Sequence, residues 1–146
     1  MAYRSGWIIL IGLCVTPWVR VASQQVSAAP RSTLAGVYSD EQATRGRDTY
    51  AGMCRSCHTA ESHTGVTFHK TWDGRRVSEL FGYISTKMPK NEPGSLAPED
   101  YADVLAYLLK LNQMPAGAAE LPADTAVLKT IRIETRPAAA PSPRNR

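Results

Sequence analysis

Cys54-Arg55-Ser56-Cys57-His58 is the stretch on which the reading of this chain turns. Two thiols two residues apart, followed at once by an imidazole, form the attachment signature of a c-type haem. The spacing has a chemical reason: each thiol can form a thioether to one vinyl group along a single edge of a porphyrin. His58 then stands where its imidazole can bind the iron as an axial ligand. Two other chemistries use Cys-x-x-Cys. A redox dithiol calls for a strand–helix–strand pattern nearby, and none is visible around Cys54. A zinc site would pair the cysteines with His63 and His69, but such pairs stand about twelve residues apart, and only five residues separate Cys57 from His63.

Upstream of this stretch, Ser39 opens a predicted helix. It can cap the helix, Gln42 three residues later completes a capping box, and Asp40 and Glu41 suit the positive helix start. The helix runs to about Ala51, with Gly46 and Tyr50 on one face. A glycine at that point lets a second helix approach closely. Downstream, Val77 to about Thr86 forms a shorter helix whose apolar positions Leu80, Phe81 and Ile84 fall on one side. The last helix is the clearest. Pro98 fits its first turn, and Tyr101, Val104, Leu105, Leu108 and Leu111 form its apolar stripe. Lys110 suits its negative end and Asn112 can close it. Ala97 stands where a capping Ser or Thr is expected.

A second axial ligand must come from Met53, His63, His69, Met88 or Met114. Met88 is favoured. It follows the short helix, and Pro89 biases it toward an extended backbone, a rigid mount for a thioether on a non-helical segment. Methionine is a common sixth ligand of c-type iron. Trp72, Arg75 and Arg76 form a polar cluster that offers an indole N–H and guanidinium groups to a haem propionate; the competing reading makes Trp72 core and the arginines solvated. Lys87 and Lys90 flank Met88, with Glu92 nearby, so that rim has mixed sign.

The ends of the chain read differently. Trp7 to Val19 is mostly apolar but shorter than the roughly 20 residues needed to span a bilayer. It fits the apolar core of a secretory signal, with Val21-Ala22-Ser23 offering small residues for cleavage before Gln24; a retained anchor is the alternative. The predicted organisation is a signal over 1–23, a linker over 24–33, one domain over 34–123, and a partly disordered C-terminal extension over 124–146. Within that extension, Val127 to Thr135 reads as a short strand lying on the domain surface. The chain of 146 residues carries a formal net charge of +4. The stretch 34–123 holds 9 Lys plus Arg against 11 Asp plus Glu, whereas 124–146 holds 5 against 2. The basicity lies largely in the terminal segments and does not indicate nucleic-acid binding.

Three motifs in order resemble the class I monohaem cytochromes c, in particular small exported bacterial cytochromes similar to the c-type subunits of alcohol and other quinoprotein dehydrogenases. They are Gly46-x-x-x-Tyr50-x-x-x-Cys54-x-x-Cys57-His58, then Met88-Pro89 followed by Pro93-Gly94-Ser95-Leu96, then Asp103-Val104-Leu105-Ala106-Tyr107-Leu108-Leu109-Lys110. The resemblance covers roughly Val37 to Leu121. It implies an all-α cytochrome c fold, with three main helices around one covalently bound haem c held by Cys54, Cys57, His58 and Met88. It also implies that Gly46 and Tyr50 pack against the last helix near Tyr107, and that haem is attached after export, so the expected location is the bacterial periplasm. Between His58 and the distal region many members carry a Gly-Pro pair that orients the haem histidine; Thr59 to Thr71 has no proline, so the resemblance assigns His58 no such partner.

The function so implied is one-electron transfer rather than enzymatic catalysis, since His58 and Met88 together leave the iron no open position. The expected partner is a redox protein, a dehydrogenase giving electrons or a terminal oxidase taking them, with no nucleic acid and no stable membrane insertion after signal cleavage. The alternatives are a cytochrome subunit of a dehydrogenase complex and a five-coordinate haem protein that binds small ligands.

Overall fold

The computed structural model describes residues 31–135; the expected signal, most of the linker and the last eleven residues lie outside the described residues. Two long helices set the frame. The first, α1 (Asp40–Met53), starts as expected: the Ser39 hydroxyl accepts the Gln42 N–H at 3.0 Å. The second half of the expected capping box is not made. The Gln42 side chain instead donates to the Leu121 carbonyl at 2.8 Å and accepts the Leu121 N–H at 2.7 Å. A buried backbone pair far along the chain outcompetes the local cap, because leaving both of its groups unpaired costs more than losing half a capping box.

Gly65–Trp72 forms α2, Val77–Lys87 forms α3 and Pro98–Leu111 forms α4. α3 and α4 follow the apolar stripes read from sequence; α2 was not anticipated, and its single buried side chain, Phe68, explains why periodicity gave so little signal. α1 packs most extensively on α4. The crossing is set by Gly46, where a Cβ would collide with the Asp103 carbonyl, so only glycine permits this backbone approach. Beside it, Arg45 grips the buried Asp103 carboxylate through two hydrogen bonds of 2.8 and 3.0 Å and reaches Glu120 at 2.9 Å. Asn112 closes α4 as expected, and the next residue, Gln113, takes the left-handed turn with φ 61°.

The C-terminal segment packs more closely than a surface strand would. Residues 124–135 run along the surface but turn three side chains, Leu128, Ile131 and Ile133, into the core. Thr125–Leu128 is a one-turn helix, α5, and only Ile131–Arg132 is a strand, β2, paired in parallel with β1, Arg31–Ser32. Leu128, Ile131 and Ile133 are fully buried. Thr33 closes the same junction by exchanging hydrogen bonds of 2.9 Å with the Glu134 backbone. Three large aliphatic side chains leave water here, and that gain exceeds what a surface position would give them. Side chains on both sides of 34–123 thus contribute to the same core.

Candidate functional site

Between α1, α2, α3 and α4 lies a cavity of about 620 Å³, well within the size range of a small-molecule site. One wall is the Cys-x-x-Cys-His stretch, which continues directly from the end of α1. The Cys54 and Arg55 amides donate to the Tyr50 carbonyl at 2.9 and 3.0 Å, and the Cys57 and His58 amides donate to the Cys54 carbonyl at 3.1 and 3.0 Å. These turns fold the segment back on itself, so Cys54, Cys57 and His58 all line the cavity. Burial pushes the Cys54 thiol up from its ordinary value, the opposite of what a reactive redox dithiol requires. Among the described residues no group of three or more His, Cys, Asp or Glu side chains is placed to hold a metal ion, so the zinc alternative gains no support.

His63 lies beside His58, ring centroids 4.9 Å apart, and meets the edge of Tyr50 at 5.9 Å. Burial, then the neighbouring His58, pulls the His63 imidazole below its usual value. Asn112 ties this turn to α4 by donating to the His63 carbonyl at 2.9 Å. Tyr50 packs against Tyr107 with the rings tilted and their centroids 5.4 Å apart, as the resemblance implied, and its hydroxyl donates to the His58 carbonyl at 3.3 Å. Burial pushes the Tyr50 phenol up to about 12, so it stays a neutral donor at neutral pH. Among the described residues, no hydrogen bond reaches either ring nitrogen of His58.

Met88 closes α3 and lines the same cavity. Its backbone is extended, φ −129° and ψ 152°, as Pro89 requires. Of the other candidate sixth ligands, neither His69 nor Met114 lines the cavity. Met114 is 3 % exposed and packs in the main core, its carbonyl accepting the Tyr38 hydroxyl at 2.6 Å. Met53 lines the cavity from an exposed position immediately before Cys54, and His63 lines it alongside His58. Of the candidates that line the cavity, Met88 stands farthest along the chain from His58, at the end of α3.

The cavity lining suits a flat apolar group with a polar edge. Phe68, Leu80, Ile84, Val104 and Leu108 supply hydrocarbon. Trp72 and Arg75 line the polar end, with the Arg75 guanidinium 4.8 Å over the indole and bonded to Glu79 at 2.7 and 2.9 Å. Arg76 does not line the cavity, and its backbone pairs with Arg132 instead. Two thiols and an imidazole on one wall, a thioether entering from another and an aliphatic interior between them fit a covalently bound haem.

Sequence reasoning missed Tyr101 and the tethering role of Asn112. Tyr101 read only as one member of an apolar stripe; its hydroxyl donates to the Met88 carbonyl at 2.7 Å. Nothing in periodicity marks a buried tyrosine as a donor, although a buried phenol ordinarily seeks a partner.

Residues 41–108 match the family model described as cytochrome c oxidase, cbb3-type, subunit III. Comparison with curated proteins and with solved structures returns no match. The matched span runs from α1 through most of α4 and includes both walls of the cavity. The match indicates a c-type cytochrome domain over this span, consistent with the class I monohaem cytochromes c, and such a domain implies a covalently bound haem c.

Proposed function

We propose that this protein is a one-electron carrier of the bacterial periplasm. Cys54 and Cys57 would anchor the haem covalently, and His58 and Met88 would hold its iron. The observation that carries the reading is the meeting of these four residues, from two separate segments, at one cavity with an aliphatic interior. When bound, the haem supplies a metal that cycles between ferrous and ferric. The chain's own residues do the rest. Phe68, Leu80, Ile84, Val104 and Leu108 line the cavity with hydrocarbon and would exclude water from it, an environment that together with thioether ligation would favour the reduced form and raise the potential. Tyr50 and Asn112 hold the His58–His63 turn against α1 and α4. If His58 and Met88 both held the iron, the chain itself would leave no place for a substrate at the metal, which is the condition of a carrier rather than a catalyst.

A second reading makes the protein a subunit of a larger respiratory assembly. The description of the matching family model, an oxidase subunit, supports it. Among the described residues no helix is long and apolar enough to cross a membrane, so attachment in that case would use the protein surface or the segments outside the described residues. Gel filtration of the native extract separates the two: a free carrier elutes as a single small chain, no larger than the 15.9 kDa of the full sequence, whereas a subunit elutes with its complex.

The test of the main reading is extraction of the purified protein with acid acetone, followed by an optical spectrum of the protein fraction. Pigment that stays with the chain and shows a reversible ferric–ferrous change supports it. Pigment that leaves with the solvent, or a colourless protein, overturns it.

A further inference from the structure

We propose that Tyr101 is the positioning residue of the Met88 loop: its hydroxyl clamps the Met88 backbone so that the thioether stays in the cavity and resists displacement. The proposal rests on the reading of Met88 as an iron ligand.

Met88 is held at both of its backbone groups. Its N–H donates to the Ile84 carbonyl at 3.1 Å, which ends α3. Its carbonyl accepts the Tyr101 hydroxyl at 2.7 Å and, more weakly, the Gly94 amide at 3.3 Å. The same phenol oxygen stands 3.5 Å from the Leu96 amide. One hydroxyl therefore gathers the two ends of the loop that runs from Met88 to Leu96. Tyr101 can bear this role because its mount is rigid. It sits in the first turn of α4, is 4 % exposed and lines the cavity itself, while α4 is fixed against α1 at the Gly46 crossing. The loop, by contrast, is largely exposed from Lys90 to Ser95 and contributes little core of its own. Without the hydroxyl, the Met88 carbonyl keeps only the long Gly94 bond. The population with Met88 swung out rises, and an external ligand that needs that population binds more tightly in proportion.

The molecule contains its own control. Tyr38 is equally buried, and its hydroxyl donates to the Met114 carbonyl at 2.6 Å. This is the same chemistry, phenol to methionine carbonyl, at residues that do not line the cavity.

The experiment is an imidazole titration of the ferric holoprotein, followed by the sulfur-to-iron charge-transfer band, in wild type, Tyr101→Phe, Tyr38→Phe and Met88→Ala. Thermal unfolding is recorded on each. Tyr101→Phe is expected to raise the apparent imidazole affinity about threefold to tenfold, the equivalent of one buried hydrogen bond. Tyr38→Phe is expected to lose comparable thermal stability while its imidazole affinity stays at the wild-type value. An unchanged affinity in Tyr101→Phe, or equal shifts in both tyrosine variants, overturns the proposal. A band that survives in Met88→Ala removes the underlying ligand reading and the proposal with it, an outcome distinguishable from the first two. Amide exchange in the wild type needs no variant: the Gly94 N–H is expected to be protected, and exchange at the rate of an open loop also overturns the clamp.

Discussion

The two cavity walls that carry the proposed haem residues are built on opposite principles. The wall with Cys54, Cys57 and His58 is one continuous stretch, held by four backbone hydrogen bonds that span no more than five residues. The Met88 wall is a loop whose shape depends on Tyr101, thirteen residues away on another helix. A local turn forms wherever its residues are, so the first wall survives damage elsewhere in the fold. The second wall is only as firm as the α1–α4 frame that carries Tyr101. The contrast predicts that substitutions away from the site will loosen methionine ligation long before they affect covalent attachment.

The largest effect expected from this contrast comes from removing the attachment itself. Replacing both Cys54 and Cys57 by Ala should abolish covalent haem, and circular dichroism should then show loss of cooperative unfolding. A cavity of about 620 Å³ left without its filling group would deprive a small core of its centre. A cooperatively folded variant would mean that the frame, not the anchored group, carries the fold.

Truncation after Ala123 comes next. It removes Leu128, Ile131 and Ile133, all fully buried, where a single large-to-small core change already costs about 2–5 kcal/mol. The truncated protein should show a strongly lowered melting temperature; an unchanged one would restore the surface-extension reading. Gly46→Ala then tests the frame directly. The added methyl meets the Asp103 backbone, which cannot rotate aside, so a loss at the upper end of the roughly 1–3 kcal/mol typical of overpacking is expected by chemical denaturation. The same variant should weaken the charge-transfer band while leaving thioether-bound haem intact.

The smallest effect is electrostatic. The hydrogen bond and charge of Arg45 hold the Glu120 carboxyl below its ordinary value. A depressed carboxyl contributes stability above its unfolded pKa, and that contribution fades as pH falls through the lower folded value. Glu120→Gln should therefore cost a little stability at neutral pH and nothing in acid, below the ordinary carboxylate range, as read from unfolding midpoints across pH. Because both partners are solvent-facing, the effect should shrink with added salt.

The same contrast explains what could be read from sequence. Cys54, Cys57 and His58 were legible because their chemistry needs them adjacent, and the α3 and α4 stripes were legible because burial on one helix face imposes a period. Met88 could be favoured from Pro89, but the clamp on it could not, since a hydroxyl-to-carbonyl bond across thirteen residues leaves no local pattern. Gln42 misled for a related reason: a residue suited to a capping box was claimed by the Leu121 backbone. A strand was legible over Val127 to Thr135, but the burial of Leu128, Ile131 and Ile133 was not, because it depends on pairing with Arg31–Ser32 at the other end of the described residues.

The most direct test of the account is a comparison of ferric optical spectra from wild type, Met88→Ala and His63→Ala holoproteins. The account predicts a sulfur-to-iron band in wild type and in His63→Ala, and none in Met88→Ala. A band that persists without Met88, or that is missing from the wild type, would contradict it.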